Sequence, residues 1–86
     1  MDMIDQEIMR IKSRMTELQN RIIPDFEHKT EVLYAQILPL EKESEERLKL
    51  EAEYTRLSKE LRLRSDELIS SRQEIENLEL QKNMRR

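Results

Sequence analysis

The chain has 86 residues, 41% of them charged and 3% aromatic, with two Pro and no Gly, Cys or Trp. That composition excludes a globular core built on glycine turns and aromatic volume, a disulfide framework and a thiolate metal site, and it fits long helices. The formal net charge of -3 comes from 19 acids against 16 bases spread along the sequence, which leaves no sustained positive field for a phosphate backbone.

The first element opens at the N-terminus. Met1, Ile4, Ile8, Ile11, Met15, Leu18 and Ile22 are separated by alternating steps of three and four, the spacing that keeps one apolar seam of a helix facing a partner helix. The acids Asp2, Asp5 and Glu7 and the lack of an apolar stretch argue against a secretory leader. A first segment over 1–22 is expected.

The second element carries the same pattern displaced. Ile23, Phe26, Leu33, Ile37 and Leu40 follow a frame shifted by one residue from the first, and the shift coincides with Pro24. Proline removes a backbone donor and kinks or ends a helix, so the segment 23–40 is predicted to hold a helix over 25–38. Apolar residues here occupy nearly every side of the helix: Val32, Leu33, Tyr34, Ala35, Ile37, Leu38 and Leu40. A two-stranded seam covers only part of that circumference, so further packing is expected: a fold-back, a third or fourth helix in a local four-helix bundle, or a globular protein docked on Val32, Tyr34 and Leu38. The longest unbroken apolar run, 32–35, is far below the roughly 20 residues of a membrane span.

The third segment is 41–86. From Ile37 to Arg47 the frame takes ten residues, three more than a heptad, which reads as an overwound stammer after Pro39. Four glutamates between 41 and 47 suit the positive end of a helix starting near Pro39. From there the seam runs through Leu50, Tyr54, Leu57, Leu61, Leu68, Ile75 and Leu78, interrupted by Arg64 and Ser71. No Gly or Pro closes the C-terminus, so the helix is expected to continue in a longer parent protein.

The spacing predicts an all-α fold: a long, proline-interrupted helix in a two-stranded parallel coiled coil. A kinked rod is favoured over a fold-back because neither proline lies in a glycine-containing turn, and a straight rod would span roughly 130 Å at 1.5 Å per residue. The helix-partner interface is then Ile4, Ile8, Ile11, Met15, Leu18, Ile22, Phe26, Leu33, Ile37, Leu40, Leu50, Tyr54, Leu57, Leu61, Leu68, Ile75 and Leu78.

Candidate chemistry is sparse. His28 stands three residues from Asp25 and three from Glu31, but no second His supplies a further inward ligand, so it reads as a solvated side chain. Ser70 and Ser71 have no base nearby in sequence, and no phosphate loop or nucleophile elbow forms without Gly. No catalytic residue, cofactor or metal is expected. Lys82, Arg85 and Arg86 make a small basic tip, read as solvated. Helix-supporting pairs are expected at Glu17 with Arg21, Glu43 with Arg47, Glu45 with Lys49 and Glu60 with Arg64.

The flanks of the last seam address partner choice. Glu46, Glu53, Glu60, Glu67 and Glu74 form an unbroken acidic column, which disfavours parallel self-pairing and leans towards a different partner chain carrying Lys or Arg. The expected function is a non-enzymatic, cytoplasmic or nuclear oligomerisation scaffold. Cytoskeletal, centrosomal, kinetochore and vesicle-tethering proteins are the classes that use such segments. The alternative is a regulatory coiled coil that binds a small GTPase or motor adaptor through the patch around Pro39.

Overall fold

The computed structural model describes residues 2–84. Met1, the first position of the seam, and Arg85 and Arg86 of the basic tip lie outside the described residues. Among the described residues the secondary structure is entirely helical: α1 (Met3–Glu17), a π-helical segment (Leu18–Ile22), α2 (Ile23–Ile37) and α3 (Glu45–Met84). The first three run on without a break into one arm over 3–37, because Leu18, Ile22 and Ile23 all keep right-handed helical backbone angles. A turn over 38–44 reverses the chain, and α3 returns along the first arm.

The N-terminal arm starts where an acid meets the free amides of the first turn. Asp2 is the N-cap, its carboxylate accepting from the Ile4 N–H at 3.3 Å. The π-helical segment resolves the one-residue slip of the seam. Its i-to-i+5 bonding, seen where the Ile23 N–H reaches the Leu18 carbonyl, inserts one residue into the helix without breaking it. Leu18 and the apolar positions after Ile22 thereby stay on the same side. Pro24 has no N–H to give the residue four back, and its ring crowds that carbonyl, so the widened turn falls where the α-helical bond is lost anyway. Pro24 does not end the helix.

The second slip has a different outcome. The ten residues from Ile37 to Arg47 lie mostly in the turn, so no stammer exists in a continuous helix. Within the turn the Leu40 N–H donates to the Ile37 carbonyl at 3.0 Å and the Ser44 N–H to the Glu41 carbonyl at 3.1 Å. Ser44 then caps α3: its hydroxyl oxygen accepts from the Arg47 N–H at 3.2 Å, and its carbonyl accepts from the Leu48 N–H at 3.1 Å. The helix starts at Glu45, not near Pro39. Glu45 and Glu46 occupy its first turn, favourable at the positive end of the dipole, while Glu41 and Glu43 remain in the turn.

The two arms of the chain are antiparallel, which corrects the expectation of a kinked rod. The molecule measures 65 × 17 × 13 Å, half the length of the rod, and α3 alone, with 40 residues, accounts for roughly 60 Å at 1.5 Å per residue. The chain turns without glycine because none of its residues needs a positive φ. Seven residues of ordinary backbone geometry suffice, wider than the tightest helix–helix loops.

The core is thin and runs the length of the hairpin. Ile4, Ile8 and Ile11 of α1 pack with Ile75 of α3, with Met15 and Leu78 against the cluster. Leu18 has no accessible surface at all, and Ile37 and Leu57 are the buried apolar residues towards the turn.

Candidate functional site

The face that carries the seam is the inner face of the hairpin. Ile4, Ile8, Ile11, Leu18, Ile37, Leu57 and Ile75 are buried, and Met15, Ile22, Phe26, Leu33, Leu40, Leu50, Tyr54, Leu61, Leu68 and Leu78 are half-buried. The helix lying on each of them belongs to the same chain. A seam position escaped the sequence reading: Thr30 is buried, its hydroxyl donating to the Glu27 carbonyl at 2.9 Å. The signal was present, since 26, 30, 33, 37 and 40 keep the alternation of four and three, but a polar residue type hid it. Of the two interruptions, Arg64 stays half-buried by turning its guanidinium along its own helix to Glu60 at 3.3 Å and Glu67 at 3.2 Å, and Ser71 is half-buried as well.

Charge pairs bridge the two arms at the edges of this core. Arg14 Nε donates to Glu67 Oε2 at 2.8 Å, between residues 53 apart in sequence. Lys82 donates to Asp5 across the open end, 77 residues apart. The hydrogen bonds from Arg14, more than its charge, hold the Glu67 carboxyl below the usual carboxylate range, with a smaller contribution from Arg64. The same contact raises Arg14, and the hydrogen bond to Asp5 raises the Lys82 ammonium.

The acidic column is therefore supplied with cations by its own chain. Glu53 pairs with Arg56, and the hydrogen bond from Arg56 lowers its carboxyl. Glu60 meets Arg64, Glu67 meets Arg14 and Arg64, and Glu74 acts electrostatically on Arg10. Glu46 is exposed in the first turn of α3. Of the helix-supporting pairs, Glu17 with Arg21, Glu45 with Lys49 and Glu60 with Arg64 are present. Glu43 lies outside α3, and Arg47 instead binds Glu51 at 2.7 Å and donates to the Leu40 carbonyl at 2.7 Å, lashing the turn to the helix.

A second surface surrounds the turn. Val32 is 43% exposed, Tyr34 53%, Leu38 58% and Leu48 56%, so the apolar residues that do not fit the seam face solvent. Tyr34 and Tyr54, the only tyrosines, meet across the arms with ring centroids 6.1 Å apart and planes tilted by 43°. Beside them Thr30 and Glu31 complete a small concavity. On the opposite side an open groove of about 400 Å³ runs between Val32, Leu33, Gln36 and the pair Glu53 and Leu57, with His28 and Lys29 at its edge. His28 is exposed, and among the described residues no group of three His, Asp or Glu side chains is gathered as metal ligands. Ser70 is exposed on the outside of α3. Among the described residues, no helix is long and apolar enough to cross a membrane.

Scans of protein-family models, of curated proteins and of solved structures found no match to this chain.

Proposed function

We propose that this chain is a non-enzymatic helical interaction module, an oligomerisation and scaffold segment of a larger cytoplasmic protein that works by packing its helices against a partner. The observation that carries the reading is the mismatch between its surface and its mass. The accessible area is 6830 Å² for 10.5 kDa, whereas a compact single-chain protein of that mass exposes about 5,400 Å². The difference, on the order of 1,400 Å² per chain, exceeds the roughly 800 Å² that each partner contributes to a stable protein–protein interface of standard size. A two-helix hairpin with one fully buried side chain leaves such area open, and a helical partner is the economical cover. Cytoskeletal, centrosomal, kinetochore and vesicle-tethering assemblies are where such modules serve.

Light scattering on the purified chain tests it. A mass above the 10.5 kDa of one chain, falling on dilution and lost when Leu57 and Leu61 are both replaced by Asp, is the expected result. A single-chain mass at every concentration would sink self-association.

The exposed Leu38, Tyr34 and Val32 favour a second reading, in which a small GTPase or motor adaptor docks beside Pro39. Titrating candidate GTPases against the chain and its Leu38→Asp variant discriminates, because only docking at this patch is lost in the variant while the hairpin stays folded.

A further inference from the structure

We propose that the partner of this chain is a second copy of itself, taken up by helix exchange: the turn over 38–44 opens, and α3 of each copy lies along α1 and α2 of the other. The proposal rests on the reading of the chain as an oligomerisation module and names the partner and the way it binds.

Complementarity is the first ground. The surface shown to fit the inner face of the N-terminal arm is α3, and a second copy brings the same α3. Exchange preserves every contact between the arms, among them the Ile8 and Ile75 cluster, the Arg14 to Glu67 hydrogen bond and the Tyr34 to Tyr54 ring contact. The contacts become intermolecular and otherwise do not change. What separates the two forms is the closure of the turn, so the balance shifts towards exchange as the chain concentration approaches the effective concentration of the tethered arm.

The turn itself is the second ground. It contains no Gly and no residue at positive φ, so no left-handed backbone conformation holds it in the reversed shape. Pro39 disfavours helical backbone in the residue before it and stiffens the hinge. Opened, seven residues reach up to roughly 25 Å, ample to carry α3 away from its own arm.

The exposed patch is the third ground. In a two-fold exchanged dimer the two hinges lie side by side at the centre, so the residues flanking one turn meet their counterparts. Leu38, Leu48 and Tyr34, each more than half exposed in the single hairpin, stand at that position, where they would be covered. The small hydrophobic core of the hairpin needs no rearrangement to provide this new contact.

Because the chain has no cysteine, a designed pair reports the connectivity cleanly. Asp5→Cys and Lys82→Cys in one chain, solvent-accessible positions that meet across the arms, treated with a short bis-maleimide, should yield covalent dimers at high concentration and internally linked monomers on dilution. X-ray scattering of the unlabelled full chain should show a particle about 120 Å long at high concentration, from the 1.5 Å rise of two arms placed end to end. Pro39→Ala and a Gly-Ser-Gly-Ser insertion after Glu41 should each lower the covalent dimer fraction several-fold, by relieving the hinge. A dimer by light scattering whose cross-links are all internal would overturn exchange and leave side-by-side association of closed hairpins. A single-chain mass at all concentrations would overturn exchange and leave the module reading to a different partner chain.

Discussion

The open end and the turn end of this hairpin use apolar residues in opposite ways. At the open end α1 is modestly apolar, but its isoleucines fall on one line and meet Ile75 and Leu78 of the returning helix, with Arg14 and Lys82 bridging the arms at the edges. At the turn end α2 is richer in apolar residues, yet Val32, Tyr34 and the following Leu38 stay 43 to 58% exposed, although Tyr34 meets Tyr54 of α3, and a threonine occupies the inner face. Alignment, not content, makes the core, since only area removed from water by the opposite arm stabilises the fold. The surplus at the turn end is left for another surface.

Substitutions separate the two ends. Ile11→Asp should have the largest effect, because burying an unpaired carboxylate in the isoleucine cluster costs more than the roughly 1.5 to 3 kcal/mol that the side chain contributes. Helicity by circular dichroism should fall towards that of an unfolded chain at 25 °C, and a variant that melts like the parent would show that the open end is not packed as described.

The capped start of α3 comes next. Ser44→Ala removes the oxygen that accepts the Arg47 N–H and should destabilise by about 1 kcal/mol, read as a lower urea midpoint with unchanged slope.

The cross-arm pair is worth less. In a double-mutant cycle Arg14→Ala and Glu67→Ala should show a small favourable coupling at low salt that shrinks as salt is added, since both side chains are partly solvated and water screens them. Its pH dependence follows from the lowered Glu67 carboxyl. Its contribution is complete above the unfolded glutamate value of about 4.3 and is lost as the pH falls through the lower folded value. Thermal melts in that acidic window should therefore converge for parent and Glu67→Gln, and convergence on raising the pH instead would refute the assignment.

Smallest of all, Leu38→Asp should shift the melting of the dilute chain by less than about 0.5 kcal/mol, because it replaces an exposed residue. At high concentration the same change should weaken association, so the turn end would differ from the open end in which state it supports.

Local rules carried much of the reading. The three-four spacing marked the apolar faces of the helices and the apolar residues left over around Pro39, because helical periodicity is a property of the chain read along its length. The i and i+4 pairs Glu17 with Arg21 and Glu60 with Arg64 were legible for the same reason. Thr30 was not, since its residue type disguised a position that its spacing marked, and neither was the cap at Ser44, which depends on where the turn ends.

What lay beyond the sequence was how the two frame shifts are realised and where the partner helix comes from. A one-residue shift fits within a widened helical turn, and at Pro24 the missing N–H makes that turn cheap, so the helix continues. The three-residue shift after Pro39 is not absorbed in this way: the backbone leaves the helix for seven residues, held by the Ile37 and Glu41 carbonyls, the Ser44 cap and Arg47. Periodicity names the face that must be covered but is silent about direction, because an apolar stripe looks the same to a parallel or an antiparallel neighbour. Direction was decided by the reversal over 38–44, which lays Ile75 and Leu78 of the returning helix on Ile4, Ile8 and Ile11; the pairs Arg14 with Glu67 and Asp5 with Lys82, 53 and 77 residues apart, exist only once the chain has turned back on itself.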